Sequence, residues 1–333
     1  MYLLVLLNTL SNAGNDFAPC RLRISVAMEK QLTRPLACGL VLSVVLSPAA
    51  NAQDARSAHG DERPTETMLP DEKDAVERVT VSAGVTAVSQ YISRGVSFSD
   101  RPSLQPFVSV RVALPELTGG TVTKASVFAG TWNSIQGSKP GLGQPNDGAL
   151  PGWYETDLYA GASIELDKRW TVSGTYYRYV SPSASFPGYN DFELIVRFDD
   201  RSLWEGIVPL RGFRLSPSLR VTQEAGQPNR ADALYVQPSL TVRFDLGDAQ
   251  APVGIAIPLV MGFSDSFYRD ARGGNPTFGY VRTGLTVSGK PFARTANAVT
   301  VNGGFDLWQL NGRVASGLKE TEIVGRIGAS WTW

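Results

Sequence analysis

The chain carries a single histidine, His59, in 333 residues. It has two cysteines, Cys20 and Cys38, and its 31 basic side chains are balanced by 31 acidic ones. Each scarcity excludes a class of chemistry. A serine nucleophile needs an adjacent base, and histidine is the usual supplier. His59 lies in the charged stretch "QDARSAHGDERPTETMLPDEKDAVER", with no companion ligands nearby in sequence, and reads as a solvated linker residue. Neither "GVSFSD" nor "GTYYRY" is a nucleophile elbow, and no zinc-helix motif, phosphate loop or calcium-loop pattern is present. The expectation is a protein that is not an enzyme and holds no metal or cofactor. A charge balance of zero removes the bulk signature of a nucleic-acid partner.

Residues 28–52, "MEKQLTRPLACGLVLSVVLSPAANA", fit a secretory signal peptide. Lys30 and Arg34 supply the positive start, "LACGLVLSVVLS" the apolar run, and Ala50-Asn51-Ala52 the small-residue cleavage site. Met28 then fits a translation start better than Met1, which makes residues 1–27 an over-extended start. Cleavage after Ala52 would remove both cysteines and leave neither a disulfide nor a thiolate site. Residues 53–78 follow as a charged periplasmic extension, with room for one short helix at "DEKDAVER".

From Val79 to the end the texture changes. Short alternating segments are divided by Gly, Pro, Asn, Asp and Ser clusters, and no stretch is apolar for the length of a membrane helix. On a template of roughly ten residues per crossing, about twelve segments can be counted. Leu104, Val108, Val110 and Val112 alternate with Gln105, Ser109 and Arg111. Tyr154, Leu158, Ala160, Ala162 and Ile164 alternate with Glu155, Asp157 and Ser163. A segment from Phe213 to Val221 alternates with Arg214, Ser216, Ser218 and Arg220, and similar segments follow to the C-terminus. Those near 122–133 and 169–180 have no clear parity.

Alternation fits a β-sandwich as well as a barrel, but three features favour the barrel. Connections are mostly short on one side ("DKR", "GKP") and long and polar on the other ("SRGVSFSDRPS", "SDSFYRDARGGNP"), the layout of an outer-membrane barrel. "DDRSLWEGIVPLRG" is an exception, long on the short side. Aromatics gather at segment ends, as interface girdles do. Tyr91, Trp132, Trp153, Tyr154, Tyr189, Phe278 and Tyr280 fall at the long-loop end. Trp170, Phe198, Phe213, Phe244, Trp331 and Trp333 fall at the short-turn end. Finally, the polar parity is ionic. Arg111, Arg197, Arg214, Arg220, Arg243, Arg282 and Arg326 share it with Glu155, Asp157, Asp191, Glu193 and Glu322. In a barrel these side chains line a wet lumen while the apolar parity meets lipid. The expected fold is all-β, a transmembrane antiparallel up-and-down barrel over 79–333 with both termini periplasmic.

The final strand, "EIVGRIGASWTW", is then expected to pair with the first and close the sheet. An aromatic end on the lipid parity resembles the C-terminal signal by which bacterial barrels are recognised. That likeness implies the barrel-assembly machinery as a partner, read through Trp331 and Trp333. A second likeness lies in "VSAGVTAVSQYISRGVSFSDRPSLQP", 26 residues that resemble the opening hairpin of the TorF family of porins. The matching positions are Ser89, Tyr91, Arg94, Gly95, Ser97, Asp100, Pro102 and Gln105, with Pro106 a departure. The resemblance implies an outer-membrane, porin-like protein and no particular substrate. Two uses of Arg94 stay open, pairing with a nearby acid in a well-made turn, or projecting into the mouth to set charge selectivity.

These readings lead to a narrow channel for passive diffusion of small hydrophilic or charged solutes, with the outer-membrane bilayer as partner. The arginine and carboxylate rows would bias its selectivity. Two alternatives remain from sequence, a plugged barrel acting as adhesin, receptor or envelope-structural protein, and a soluble secreted β-protein.

Overall fold

The alternation that begins at Val79 becomes a closed sheet in the computed structural model, which describes residues 78–137, 144–228, 230–247, 253–270, 273–291, 299–314 and 319–333. The over-extended start, the signal peptide and nearly all of the charged extension expected from sequence lie outside the described residues.

The strands are β1 (Val79–Val88), β2 (Tyr91–Ser93), β3 (Val96–Ser99), β4 (Ser103–Ala113), β5 (Val122–Gln136), β6 (Trp153–Leu166) and β7 (Trp170–Val180). They continue as β8 (Tyr189–Phe198), β9 (Ser218–Ala225), β10 (Leu234–Leu246), β11 (Val253–Ser264), β12 (Phe278–Gly289), β13 (Val299–Leu310) and β14 (Thr321–Thr332). Twelve of these, all but β2 and β3, form one barrel in which each strand pairs with its neighbours in sequence. All pairings are antiparallel, and the seam joins β1 to β14, with Ser82 opposite Thr332 and Val88 opposite Arg326. Closure leaves no unpaired edge, as a sheet in hydrocarbon requires.

The two faces separate as alternation dictates. Leu104, Leu158, Phe192, Leu194, Leu219, Leu240, Leu259, Phe305, Ile323 and Ile327 are all exposed on the outer face. Monomeric soluble proteins rarely expose so much contiguous apolar surface. Here it wraps the barrel, and no helix among the described residues is long and apolar enough to cross a membrane.

The two segments without clear parity resolve for a physical reason. In β5 the inner row includes Ser126 and Ser134 but also Phe128 and Trp132, while Val127 and Ala129 face outward. In β7, Tyr177 and Tyr179 point inward and Tyr176 outward, with Arg178 on the outer parity. Large rings on the inner face cancel the hydropathy contrast on which parity depends. Several of those rings lie over glycines directly across a strand pair. Phe107 covers Gly84, Tyr159 covers Gly130, and Phe128 covers Gly161. A Cβ at any of these glycines would collide with the ring.

Two sequence expectations need correction. Most aromatics assigned to the long-loop girdle are inside the barrel, since Tyr91, Trp132, Tyr154, Tyr189 and Tyr280 are all buried. Tyr154 turns inward because the β5–β6 register slips between Ser134 and Ile135, so consecutive residues Tyr154 and Glu155 are both buried. The short-turn girdle is retained in part. Trp170 packs on Phe198 with centroids 4.6 Å apart, and Trp170, Trp331 and Trp333 are exposed.

The second correction concerns the segment from Phe213. Strand β9 begins only at Ser218, because Ser216 takes a left-handed φ of 45° and Pro217 follows it. Arg214 still bridges Arg243 of β10, exchanging main-chain bonds of 3.0 and 2.8 Å. The long exception on the short-turn side is thus partly an interrupted strand. Its other half holds a one-turn helix, α1 (Arg201–Trp204), organised by Asp200. The Asp200 carboxylate accepts hydrogen bonds from Trp204 Nε1 at 2.6 Å and from the backbone N–H groups of Leu215 and Ser216 at 2.9 Å. Burial pushes its pKa upward, but these donors outweigh burial and hold it below the ordinary carboxylate value.

Candidate functional site

The segment read as the first long loop is a second, smaller piece of sheet folded into the barrel. β2 and β3 form a hairpin with Ser93 opposite Val96. Arg94 and Gly95 are its two turn residues, at φ 48° and 78°. A two-residue turn with both φ values positive has the hand that suits a twisted hairpin, and its first position favours Asn, Asp or Gly. Arginine there opposes the backbone preference by roughly 1 kcal/mol.

The arginine side chain is anchored inside. Arg94 and Asp191 are 1% and 0% exposed and meet at 2.8 Å between guanidinium and carboxylate. Tyr179 donates to the same carboxylate oxygen at 3.0 Å. The guanidinium carbon also lies 5.0 Å from the Tyr235 ring centre and 5.5 Å from that of Phe267. Tyr91 donates to Glu155 at 3.0 Å and packs on Phe98 and Trp132. Gly95 lies against Tyr280, where a Cβ would meet the ring. These partners sit on β5, β6, β8, β10 and β12, so the hairpin crosses the lumen at its long-loop end.

Below and beside the hairpin, buried charges pair. Arg220 lies 3.4 Å from Glu193, which also accepts from Tyr177 at 3.1 Å. Glu224 binds Arg230 through two contacts of 2.5 Å and accepts the Ala233 N–H at 3.0 Å. Asp306, wholly buried, faces Arg326 at 3.1 Å and Arg282 at 3.9 Å, and Arg282 lies over Trp308. Asp157 is buried opposite Trp132 and Tyr179. Towards the short-turn end the inner face opens: Arg111, Arg197, Arg214 and Arg243 are all half-buried. Arg111 donates to Ser126 at 2.6 Å and lies over Phe128.

The ionic residues anticipated from sequence therefore gather on one surface, although Arg214 reaches it from an irregular segment. Sequence reasoning missed Glu224, Arg230 and Asp306. Glu224 was within reach, since it shares strand parity with Arg220 and Thr222. Arg230 lies in a connection, where periodicity carries no information.

A closed antiparallel barrel with an apolar belt and an ionic interior defines a transmembrane barrel of the bacterial outer-membrane type. No protein-family model matches the chain, and no curated protein matches it. Among solved structures it is similar to an outer-membrane channel from Pseudomonas putida F1, with TM-score 0.46, 10% identity, and coverage of 79% of this chain and 100% of that one. It is similar also to the NanC porin, with TM-score 0.36, 14% identity, and 76% and 98% coverage. LpxR from Salmonella typhimurium gives TM-score 0.37, 8% identity, and 76% and 99% coverage. At such scores the architecture rests on the strand pairing of this chain.

Proposed function

We propose that this protein is a porin-like outer-membrane channel passing small hydrophilic or charged solutes by diffusion, with the β2–β3 hairpin as its constriction. The observation that carries the reading is the ionic interior enclosed by an apolar belt, since a barrel needs a wet lumen only if something polar passes or sits within it. Support for membership of the TorF family comes from the hairpin itself. Of the matching positions, Tyr91, Arg94, Gly95, Ser97 and Gln105 are buried in the interior. Asp100 and Pro102 are exposed where β3 leads to β4. An enzymatic role has little support, because residues 78–333 contain no histidine to serve as base.

In this reading Arg111, Arg197, Arg214 and Arg243 form the wide end and the hairpin with Asp191 and Glu155 the narrow one. Arg94, Arg220, Arg282, Arg326, Asp157 and Glu193 complete the ion-biasing wall. Purified protein in a planar bilayer under a salt gradient is the test. Small, fluctuating conductance is expected, and replacing Arg220 and Arg243 by glutamine should move the reversal potential towards cation preference. Conductance with no shift would remove these arginines from selectivity.

The hairpin also supports a second reading, a plugged barrel that binds a partner through its outer loops. Silent bilayer traces together with a surface-bound partner would favour it.

A further inference from the structure

We infer that the buried cage around Arg94 is a recognition site for a guanidinium-bearing or compact organic-cation solute, and that Arg94 occupies it as a tethered stand-in. The site has the composition that such a cation selects. It offers one carboxylate in hydrogen-bond contact, Asp191, held in place by the Tyr179 hydroxyl, with Glu224 opposite it on the next strand and the rings of Tyr235 and Phe267 flanking the guanidinium. Carboxylate plus aromatic faces is the general means of binding a desolvated cation. All these side chains belong to the barrel wall or an outer connection, whereas the cation comes from the hairpin. The wall would present the same cage with the hairpin withdrawn.

The backbone gives an independent reason to treat Arg94 as a ligand. Its φ of 48° is one that asparagine or glycine adopts more readily. The turn alone gives no reason for arginine, while the cage does. The pair is shut away from solvent, since Arg94 is 1% exposed and its partner Asp191 fully buried. A neighbouring pair, Arg230 with Glu224, also lies against Phe267, with 5.5 Å from guanidinium to ring centre. The same ring thus borders two guanidinium groups, one from the hairpin and one from an outer connection. A solute would compete for the Asp191 side of it. That the solute then crosses the membrane rests on the porin-like reading, while recognition does not.

The test uses the full chain with Arg94→Ala, folded in detergent and titrated with methylguanidinium chloride, with methylurea of similar shape, and with sodium chloride at matched ionic strength. Methylguanidinium is expected to raise the thermal midpoint of the variant at about tenfold lower concentration than methylurea. In the wild-type protein, whose cage is filled, it should give no such rise. Adding Asp191→Asn to the variant should abolish the difference. If Arg94→Ala does not fold unaided, the refolded yield with each additive is the readout. Equal response to methylguanidinium and methylurea, in midpoint or in yield, overturns the inference. Bilayer traces of the variant separate the two readings. Silent traces alongside selective stabilisation support the cage and overturn the channel, whereas open traces without selective stabilisation do the reverse.

Discussion

Val81 and Trp333 exchange two main-chain hydrogen bonds of 2.9 Å each across the seam where the barrel closes. The pairing uses backbone atoms only, while the indoles of Trp331 and Trp333 stand on the outer face with centroids 6.4 Å apart. If these rings act as the assembly signal, replacing both with alanine separates two quantities. The purified, refolded barrel should lose only about 1 kcal/mol or less, yet its abundance in the outer membrane should fall severalfold. Membrane fractions compared with in vitro refolding would show it. Equal losses in both would mean that the indoles act through stability.

Asp306 is the counter-charge for Arg282 and Arg326. Asp306→Ala would leave two cationic groups in the wall without it, which for a buried pair costs about 3–5 kcal/mol. The heat-modifiable band should convert at a clearly lower temperature. Arg326→Gln should cost less, because Arg282 still faces the carboxylate.

The connection between β8 and β9 should fail in acid before the barrel does. The carboxyl of Asp200 titrates below its unfolded value, so its contribution is complete above about pH 4 and is lost as pH falls through the folded value. Limited proteolysis between Arg201 and Arg211 should therefore accelerate sharply in that acid range. Asp200→Asn should be cleaved faster at neutral pH and respond little to further acidification.

The cross-strand seats can be probed at Gly130 and Gly161, where Tyr159 and Phe128 lie. Alanine at either site must displace a ring and also crowds a main-chain carbonyl, that of Val108 at Gly130 and of Gly174 at Gly161, an overpacking cost of about 1–3 kcal/mol. Gly130→Ala combined with Tyr159→Ser should recover part of it. Gly174, where a Cβ meets nothing within 4 Å, is the control that should tolerate alanine.

How far the sequence reached follows from what hydropathy alternation can see. Most of the crossings and the ionic inner row come from period-two contrast between oil and charge, which is strong in β4, β8 and β14, while the segments near 122–133 and 169–180 are placed only by their position between the others. The contrast vanishes where Phe128, Trp132, Tyr177 and Tyr179 turn inward, because a ring stacked in a crowded lumen looks like a ring in lipid. The sequence starts β9 too early, at Phe213, because a left-handed Ser216 leaves no hydropathy mark. The inward hairpin was invisible for a different reason. Polar turn residues such as Ser93, Arg94 and Ser97 have the composition of a solvated loop, and only long-range partners such as Asp191 and Glu155 distinguish an inward hairpin from a loop.

Strand number sets the circumference of a barrel, but not how much of that circle a guest can use. Phe107, Phe128 and Tyr159 lie in recesses that opposing glycines leave in the wall, so bulk that would otherwise reach the axis is stored at the perimeter. The room left inside thereby depends on small residues in the wall as well as on strand number. A twelve-strand cylinder can take in a two-stranded ribbon without gaining a strand, and filling those recesses one methyl at a time would crowd the interior with every ionic group still in place.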